Sequence, residues 1–282
     1  MPRNLVLSAV FLTALLLVPG LFLVGGAQAV PKGPWVDEVV FFVEQDQAKA
    51  IDMLLKNEMQ VYFRDLRDPE LFKRVRESPE LTYVMTYGLY YELTFNPVGP
   101  EFPATGKLNP FSVPRIREAM NYLIDRNYLA NEIMGGLAVP RYTALAPSFP
   151  DYGRYADLIR RLEREYAYNF DKARTIIGEE MQKLGAQLVG GKWTYKGEPV
   201  SLIFLIRVED QRRQIGDYIS SQLERLGFTV DRQYKTSREA SPIWIRGDPA
   251  EGKWHLYTGG WITTEVSRDE GDNFGYFYTS RG

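Results

Sequence analysis

The chain has 282 residues, 45% of them hydrophobic and 25% charged, with a formal charge of −2. That balance suits a globular chain of one large or two modest domains and excludes disordered and collagen-like classes; the near-neutral charge offers no basic footprint for nucleic acid. With no cysteine and a single histidine, His255, there is no disulfide framework, thiolate nucleophile, Cys-ligated metal or His-rich metal site.

The first 29 residues read as a signal peptide. Arg3 supplies a positive start, residues 5–18 are almost wholly apolar, Pro19 and Gly20 interrupt them, and Ala27-Gln28-Ala29 fits a small-x-small cleavage site. An uncleaved anchor over residues 5–24 is the competing reading, since that stretch is about long enough to span a bilayer. Both readings place the rest of the chain outside the cytoplasm.

Residues 36–43 are β-rich and predict a buried strand. Asp46 then caps a helix carrying Ala50, Ile51, Leu54, Leu55 and Met59, and a short strand is expected at 61–63. Asp68-Pro69-Glu70 opens a second helix, with Pro in the tolerated first turn. Residues 81–95 form a long β-rich run, divided by Gly88 into two expected strands. A Pro/Gly-rich loop leads to Ser112, the expected cap of a helix whose apolar stripe is Ile116, Ala119, Met120, Leu123 and Ile124. Asp125 caps the next helix, which stops at Gly135-Gly136. Residues 154–166 predict a charged helix, and Asp171 the cap of another that ends at Gly185. A hairpin turning at Lys196-Gly197 leads into a buried strand at 200–206. The helix at 211–226 turns Ile215, Tyr218, Ile219, Leu223 and Leu226 inward and stops at Gly227. Strands are expected at 229–234 and 254–258. Alternating strands and helices imply an α/β architecture.

Several blocks carry a family resemblance: residues 39–62; residues 89–96, Leu-Tyr-Tyr-Glu-Leu-Thr-Phe-Asn; residues 109–126, Asn-Pro-Phe-Ser-Val-Pro-Arg-Ile-Arg-Glu-Ala-Met-Asn-Tyr-Leu-Ile-Asp-Arg; then 168–174, 211–230 and 257–261. In this order they resemble family 5 of the bacterial extracellular solute-binding proteins, the oligopeptide- and dipeptide-binding type. The resemblance implies a two-lobed, type II periplasmic-binding-protein-like α/β fold that closes on a small-molecule ligand, an oligopeptide or oligosaccharide. It also implies docking on an ABC permease in the membrane, with no catalysis and no cofactor, and a monomer. On this reading residues 1–29 are the signal peptide, 30–92 a partial first lobe and 93–282 a second lobe, so that the sequence reads as incomplete relative to the family.

Candidate ligand contacts follow from the matched positions. Trp261, in the Gly-Gly-Trp block, offers a stacking face. Tyr90, Tyr91 and Asn96 flank the expected lobe crossing, where clefts form; on an alternating strand only one of the two tyrosines faces the cleft. The resemblance implies an aspartate shortly after the Gly-Trp pair that pairs with a peptide's amino terminus. Thr264 occupies about that place and Glu265 follows, which favours a neutral ligand such as an oligosaccharide. Asp269, Glu270, Asp272 and Asn273 are oxygen-rich but lack the spacing of a calcium loop and read as a solvated loop, while His255 reads as structural. No Walker A, G-x-S-x-G or dinucleotide motif occurs. The alternatives in other classes are an exported sensing or interaction protein that reuses the binding fold, and a glycoside hydrolase working through two carboxylates.

Overall fold

The computed structural model describes Gly33, residues 35–262, Gly275 and Thr279. The chain divides into two units, Met1–Gln45 and Asp46–Gly282.

In the first unit the described residues carry neither helix nor strand. The strand expected at 36–43 is not formed, and Val39, Val40, Phe41, Phe42 and Val43 are exposed. β-rich composition becomes a strand only where a neighbour completes the ladder, and none of the described strands pairs with this run. The proposed signal peptide lies outside the described residues.

The second unit opens with helices α1 (Gln47–Leu55) and α2 (Pro69–Glu77). Both start as the sequence suggests: Asp46 accepts from the Lys49 N–H, and Asp68 from those of Glu70 and Leu71. Between them residues 61–63 form no strand, and Val61 and Phe63 are exposed. Of the run 81–95, only β1 (Leu89–Phe95) is a strand.

After β1, Ser112 does not cap the helix that follows, whose N-cap position is Val113 with no side-chain bond; the side-chain cap in this stretch is Asn109, of the preceding 3-10 turn. Its side chain accepts from the Phe111 N–H and starts a 3-10 turn at Pro110–Ser112. Helix α3 (Pro114–Leu123) follows, burying Ile116, Ala119, Met120, Tyr122 and Leu123. Asp125 caps the next turn as expected, but that helix passes into a π-turn at Leu129–Ile133 before it ends at Gly135 and Gly136. The charged helix expected at 154–166 is interrupted at Tyr155 and becomes Pro150–Arg154 and α4 (Ala156–Glu165). Helix α5 (Phe170–Lys183) is capped by Asn169, whose side chain accepts from Lys172 N, with Asp171 in its first turn.

Strands β2 (Gln187–Val189), β3 (Lys192–Tyr195) and β4 (Glu198–Pro199) make a small antiparallel sheet. The β3–β4 turn places Lys196 and Gly197 both at positive φ, as the tight two-residue turn requires. Strand β5 (Ser201–Arg207), helix α6 (Arg212–Arg225), strand β6 (Thr229–Lys235), helix α7 (Ser237–Trp244) and strand β7 (Leu256–Ile262) complete the unit. Relative to expectation, β7 begins two residues later than 254 and runs on to Ile262. Helix α7 was not anticipated, because Pro242 lies inside it.

The main sheet has the order β1-β7-β5-β6. β5 is parallel to both β6 and β7, and β1 is the antiparallel edge strand beside β7. One face packs on α3, α5 and α6 through Phe111, Leu123, Ile177, Met181, Leu202, Phe204, Ile206 and Leu223. The other face packs α7 over Leu205 and Tyr257, with Ala240 and Trp254. Helices on both faces bury the central strand, and β5 accordingly reads Leu-Ile-Phe-Leu-Ile rather than alternating.

Candidate functional site

The parallel strands end at one edge of the sheet. β5 stops at Arg207 and β7 at Ile262, while β1, running the other way, starts there at Leu89. The carboxyl edge of an open α/β sheet is where ligands are generally held. Register decides which side chains meet at it: Tyr90 lies opposite Trp261, Tyr91 opposite Gly260 and Glu92 opposite Gly259.

Tyr90, Glu92 and Trp261 therefore share one face. The Trp261 indole N–H donates to Glu92 Oε1 at 3.2 Å, and the Thr94 hydroxyl donates to the same oxygen at 2.6 Å. Gly259 makes room for this carboxylate, since a Cβ there would sit 1.9 Å from Glu92 Oε1. Burial pushes the Glu92 carboxyl above its ordinary value, against the two donors that favour its charge. The Arg141 guanidinium lies 4.0 Å from the centre of the Tyr90 ring. Trp244 of α7 stacks on Tyr257 at 4.3 Å and meets Trp261 edge-on at 6.4 Å.

Tyr91 belongs to the opposite face. Arg212, at the start of α6, lies 5.0 Å from the Tyr91 ring centre and bonds Asp210 through two nitrogens, at 2.8 and 2.7 Å. Gly260 admits the guanidinium: a Cβ there would come within 2.9 Å of Arg212 Nη1. Burial alone would raise Asp210, but the Arg212 bonds prevail and hold its carboxyl below the usual range. Burial, aided by the Asp210 charge, pushes the Tyr91 hydroxyl up to about 12.

Beside this pair opens a cleft of about 410 Å³. Gln47, Arg67 and Asp68, from α1 and the start of α2, line one part of it, and Arg207 and residues 209–212 line the other. Gln211 ties the two by donating to the Arg67 carbonyl at 3.0 Å. Arg67, Arg207 and Arg212 are balanced by Asp68, Glu209 and Asp210, so the lining favours a neutral or zwitterionic guest over a strongly charged one.

The structure thus gathers Tyr90, Tyr91 and Trp261 at one edge and separates the two tyrosines by face, as strand alternation requires. Asn96 is not at that edge. It is fully buried, and its amide donates to the carbonyls of Pro249 and Trp254 while its side-chain oxygen accepts from Val98 N. Its side-chain bonds go to backbone, so its amide is occupied within the fold. Thr264 and Glu265 lie outside the described residues, as do Asp269, Glu270, Asp272 and Asn273. His255 is a buried bracket, accepting from Ile203 N on Nδ1 at 3.0 Å. Glu92, Asp210 and Arg212 were not singled out from sequence. A carboxylate in an otherwise apolar strand, facing a Gly-Gly pair, was the available signal for Glu92. Among the described residues no cluster of His, Asp and Glu suits a metal, and no helix is long and apolar enough to cross a membrane.

Comparison with known proteins agrees with this architecture. The family model "Bacterial extracellular solute-binding proteins, family 5 Middle" matches residues 30–282. No curated protein matches the sequence. Among solved structures, the chain is similar to the oligopeptide-binding protein AppA from Bacillus subtilis in complex with a nonapeptide, at 16% identity and TM-score 0.50, covering 77% of this chain and 39% of that one. It is also similar to lactococcal OppA, closed on an endogenous peptide, at 16% identity and TM-score 0.54, covering 79% and 42%. A third likeness is to a periplasmic oligopeptide-binding protein from Thermotoga maritima with bound mannohexaose, at 18% identity and TM-score 0.52, covering 77% and 38%. At these identities the likeness is one of fold, that of type II periplasmic binding proteins, and the chain spans less than half the length of the structures it matches. By the family match over residues 30–282, the chain belongs to the bacterial extracellular solute-binding proteins of family 5.

Proposed function

We propose that the chain is a ligand-capturing part of an exported substrate-binding protein serving an ABC transporter, and that it takes up peptides or oligosaccharides without catalysis. The observation that carries this reading is the family match together with an aromatic and charge-balanced cleft at the carboxyl edge of the sheet. Relatives of the same fold hold a nonapeptide, an endogenous peptide and mannohexaose, which supports both ligand classes. In this reading residues 1–29 direct export, 30–92 contribute to a first lobe and 93–282 to a second. Trp261 and Tyr90 supply stacking surface on one face and Tyr91 on the other, and Thr264 and Glu265 are further candidate ligand contacts. Ligand affinity that is greater in the closed arrangement drives closure, and the closed, monomeric protein delivers its cargo to a membrane permease.

Thermal denaturation of the chain with a mixed nonapeptide library or with mannohexaose tests this reading. A ligand at about 100 times its dissociation constant adds about 2.7 kcal/mol to stability, and at least one of the two is expected to raise the melting temperature. No shift with either overturns capture, and cleavage of a bound probe overturns the non-catalytic reading.

A further inference from the structure

A second cavity, of about 390 Å³ and thus of small-molecule size, opens on the solvent side of α6. One wall is formed by Tyr128, Glu132 and Ile133, where the helical turn passes into the π-turn, a feature frequent at functional sites. The other is α6 itself, whose Gln214, Asp217, Tyr218 and Ser221 recur at helical spacing. None of these residues lines the cleft at the carboxyl edge.

The aromatic part of the cavity is held in place. Asp125 accepts from Tyr128 N at 3.0 Å, and its own N–H donates to the Tyr218 hydroxyl at 3.1 Å. The two rings stack at 5.0 Å with 27° between their planes. The stack covers one face of Tyr128, which remains 45% exposed. Elsewhere the chain supplies its tyrosine rings with a cation: Arg141 lies over Tyr90, Arg212 over Tyr91, Lys172 over Tyr122 and Arg213 over Tyr234. Among the described residues no lysine or arginine lies over Tyr128 or Tyr218. The charged lining is acidic throughout, being Glu132 and Asp217 with no base. Glu132 is exposed and makes no hydrogen bond or ion pair with any described residue. Asp217 accepts from the Tyr234 hydroxyl on Oδ1 at 2.6 Å, which leaves Oδ2 without a described donor. Arg232 stands 4.0 Å from that same Oδ1, but its guanidinium is already bonded to Glu224 at 2.7 and 2.8 Å. An open ring face beside two incompletely compensated carboxylates attracts a cation, and Ile133 adds apolar surface for a carbon chain.

We propose that this cavity is a second binding site, which takes a small alkylammonium cation. Glu132 and Asp217 Oδ2 receive the charged group, and the carbon chain lies on the Tyr128 ring and Ile133. The site goes beyond the capture reading and does not depend on it.

The test is NMR titration of the full chain, carrying ring-labelled tyrosine, with butylammonium chloride, and with 1-butanol and sodium butyrate as the neutral and anionic counterparts. Tyr128→Phe identifies the Tyr128 signal. Butylammonium is expected to shift that signal saturably, and neither counterpart is expected to do so. Glu132→Gln removes an exposed charge that has no described partner, so it is expected to fold and to weaken butylammonium about fivefold, the worth of an exposed ion pair. Adding Asp217→Asn, which keeps an oxygen for Tyr234, is expected to bring the loss to at least about tenfold. No shift at Tyr128, an equal response to 1-butanol, a shift that grows without saturating, or unchanged affinity in both variants overturns the site. Each of these outcomes leaves capture at the carboxyl edge to its own test with peptides and mannohexaose.

Discussion

At the scale of single residues, the carboxyl edge of the sheet depends on two glycines that leave space for charged side chains. Gly259 and Gly260 are neighbours on β7 and therefore open to opposite faces of the sheet. Gly259 admits Glu92 on one face and Gly260 admits Arg212 beside Tyr91 on the other. A methyl group at 259 would overlap Glu92 Oε1 and press on Thr94 Oγ1 at 2.9 Å. Gly259→Ala is expected to cost about 2 kcal/mol, the range of overpacking in a formed interior. Because Glu92 is the principal obstacle, most of that loss should return when Glu92→Ala is combined with it. Denaturant unfolding of the two single variants and the double variant measures this coupling; additive losses would place the strain elsewhere than at Glu92.

At the scale of elements, helix ends are governed by short-range chemistry, and a cap can be chosen wrongly within one turn. Asp171 and Asn169 are both suitable cap residues, but Asn169 has the extended backbone of a cap and accepts from Lys172 N at 2.9 Å, whereas Asp171 already lies inside α5. Asn169→Ala is therefore expected to lower stability by about 1 kcal/mol, measurably more than Asp171→Ala under the same denaturant titration. The amphipathic helices α1, α3, α5 and α6 were legible because their periodicity and end signals are contained within them. Strands were less so: residues 36–43, 61–63 and 81–88 have the composition of strands but lack a paired neighbour, while β7 contains two glycines and extends through them by pairing with β1. Helix α7 was hidden by Pro242, which its tertiary setting tolerates. The candidate site divides in the same way. That Tyr90, Tyr91 and Trp261 lie at one edge follows from their strand positions, whereas Glu92 opposite Gly259 and Arg212 beside Tyr91 depend on contacts between segments more than 100 residues apart.

At the scale of the whole molecule, the exit of β1 is fastened to the sheet by a set of buried polar brackets, one of which titrates. Asn109 donates to the carbonyls of Asn96 and Val98, and Asn96 to those of Pro249 and Trp254. His255 accepts from Ile203 N on β5 through Nδ1, while Nε2 lies 3.3 Å from the Leu108 carbonyl. The ring is thus held neutral, with its proton on Nε2, against Phe102 at 5.0 Å. Burial lowers its pKa from 6.5 to about 4, with the Lys107 charge acting in the same direction and the Leu108 carbonyl opposing. A protonated ring would direct an N–H at the N–H of Ile203 and lose the bracket. Since the unfolded chain takes up this proton first, stability is complete above pH 6.5 and declines as pH falls toward 4. The loss attributable to this one group approaches about 3 kcal/mol at the acid end. In His255→Asn the amide oxygen can accept from Ile203 N without titrating, so the variant is expected to be less stable than the wild type at pH 7 but to lose less on acidification. Urea unfolding of both proteins between pH 4 and 7 measures the difference, and parallel stability curves would mean that protonation of His255 does not control the bracket.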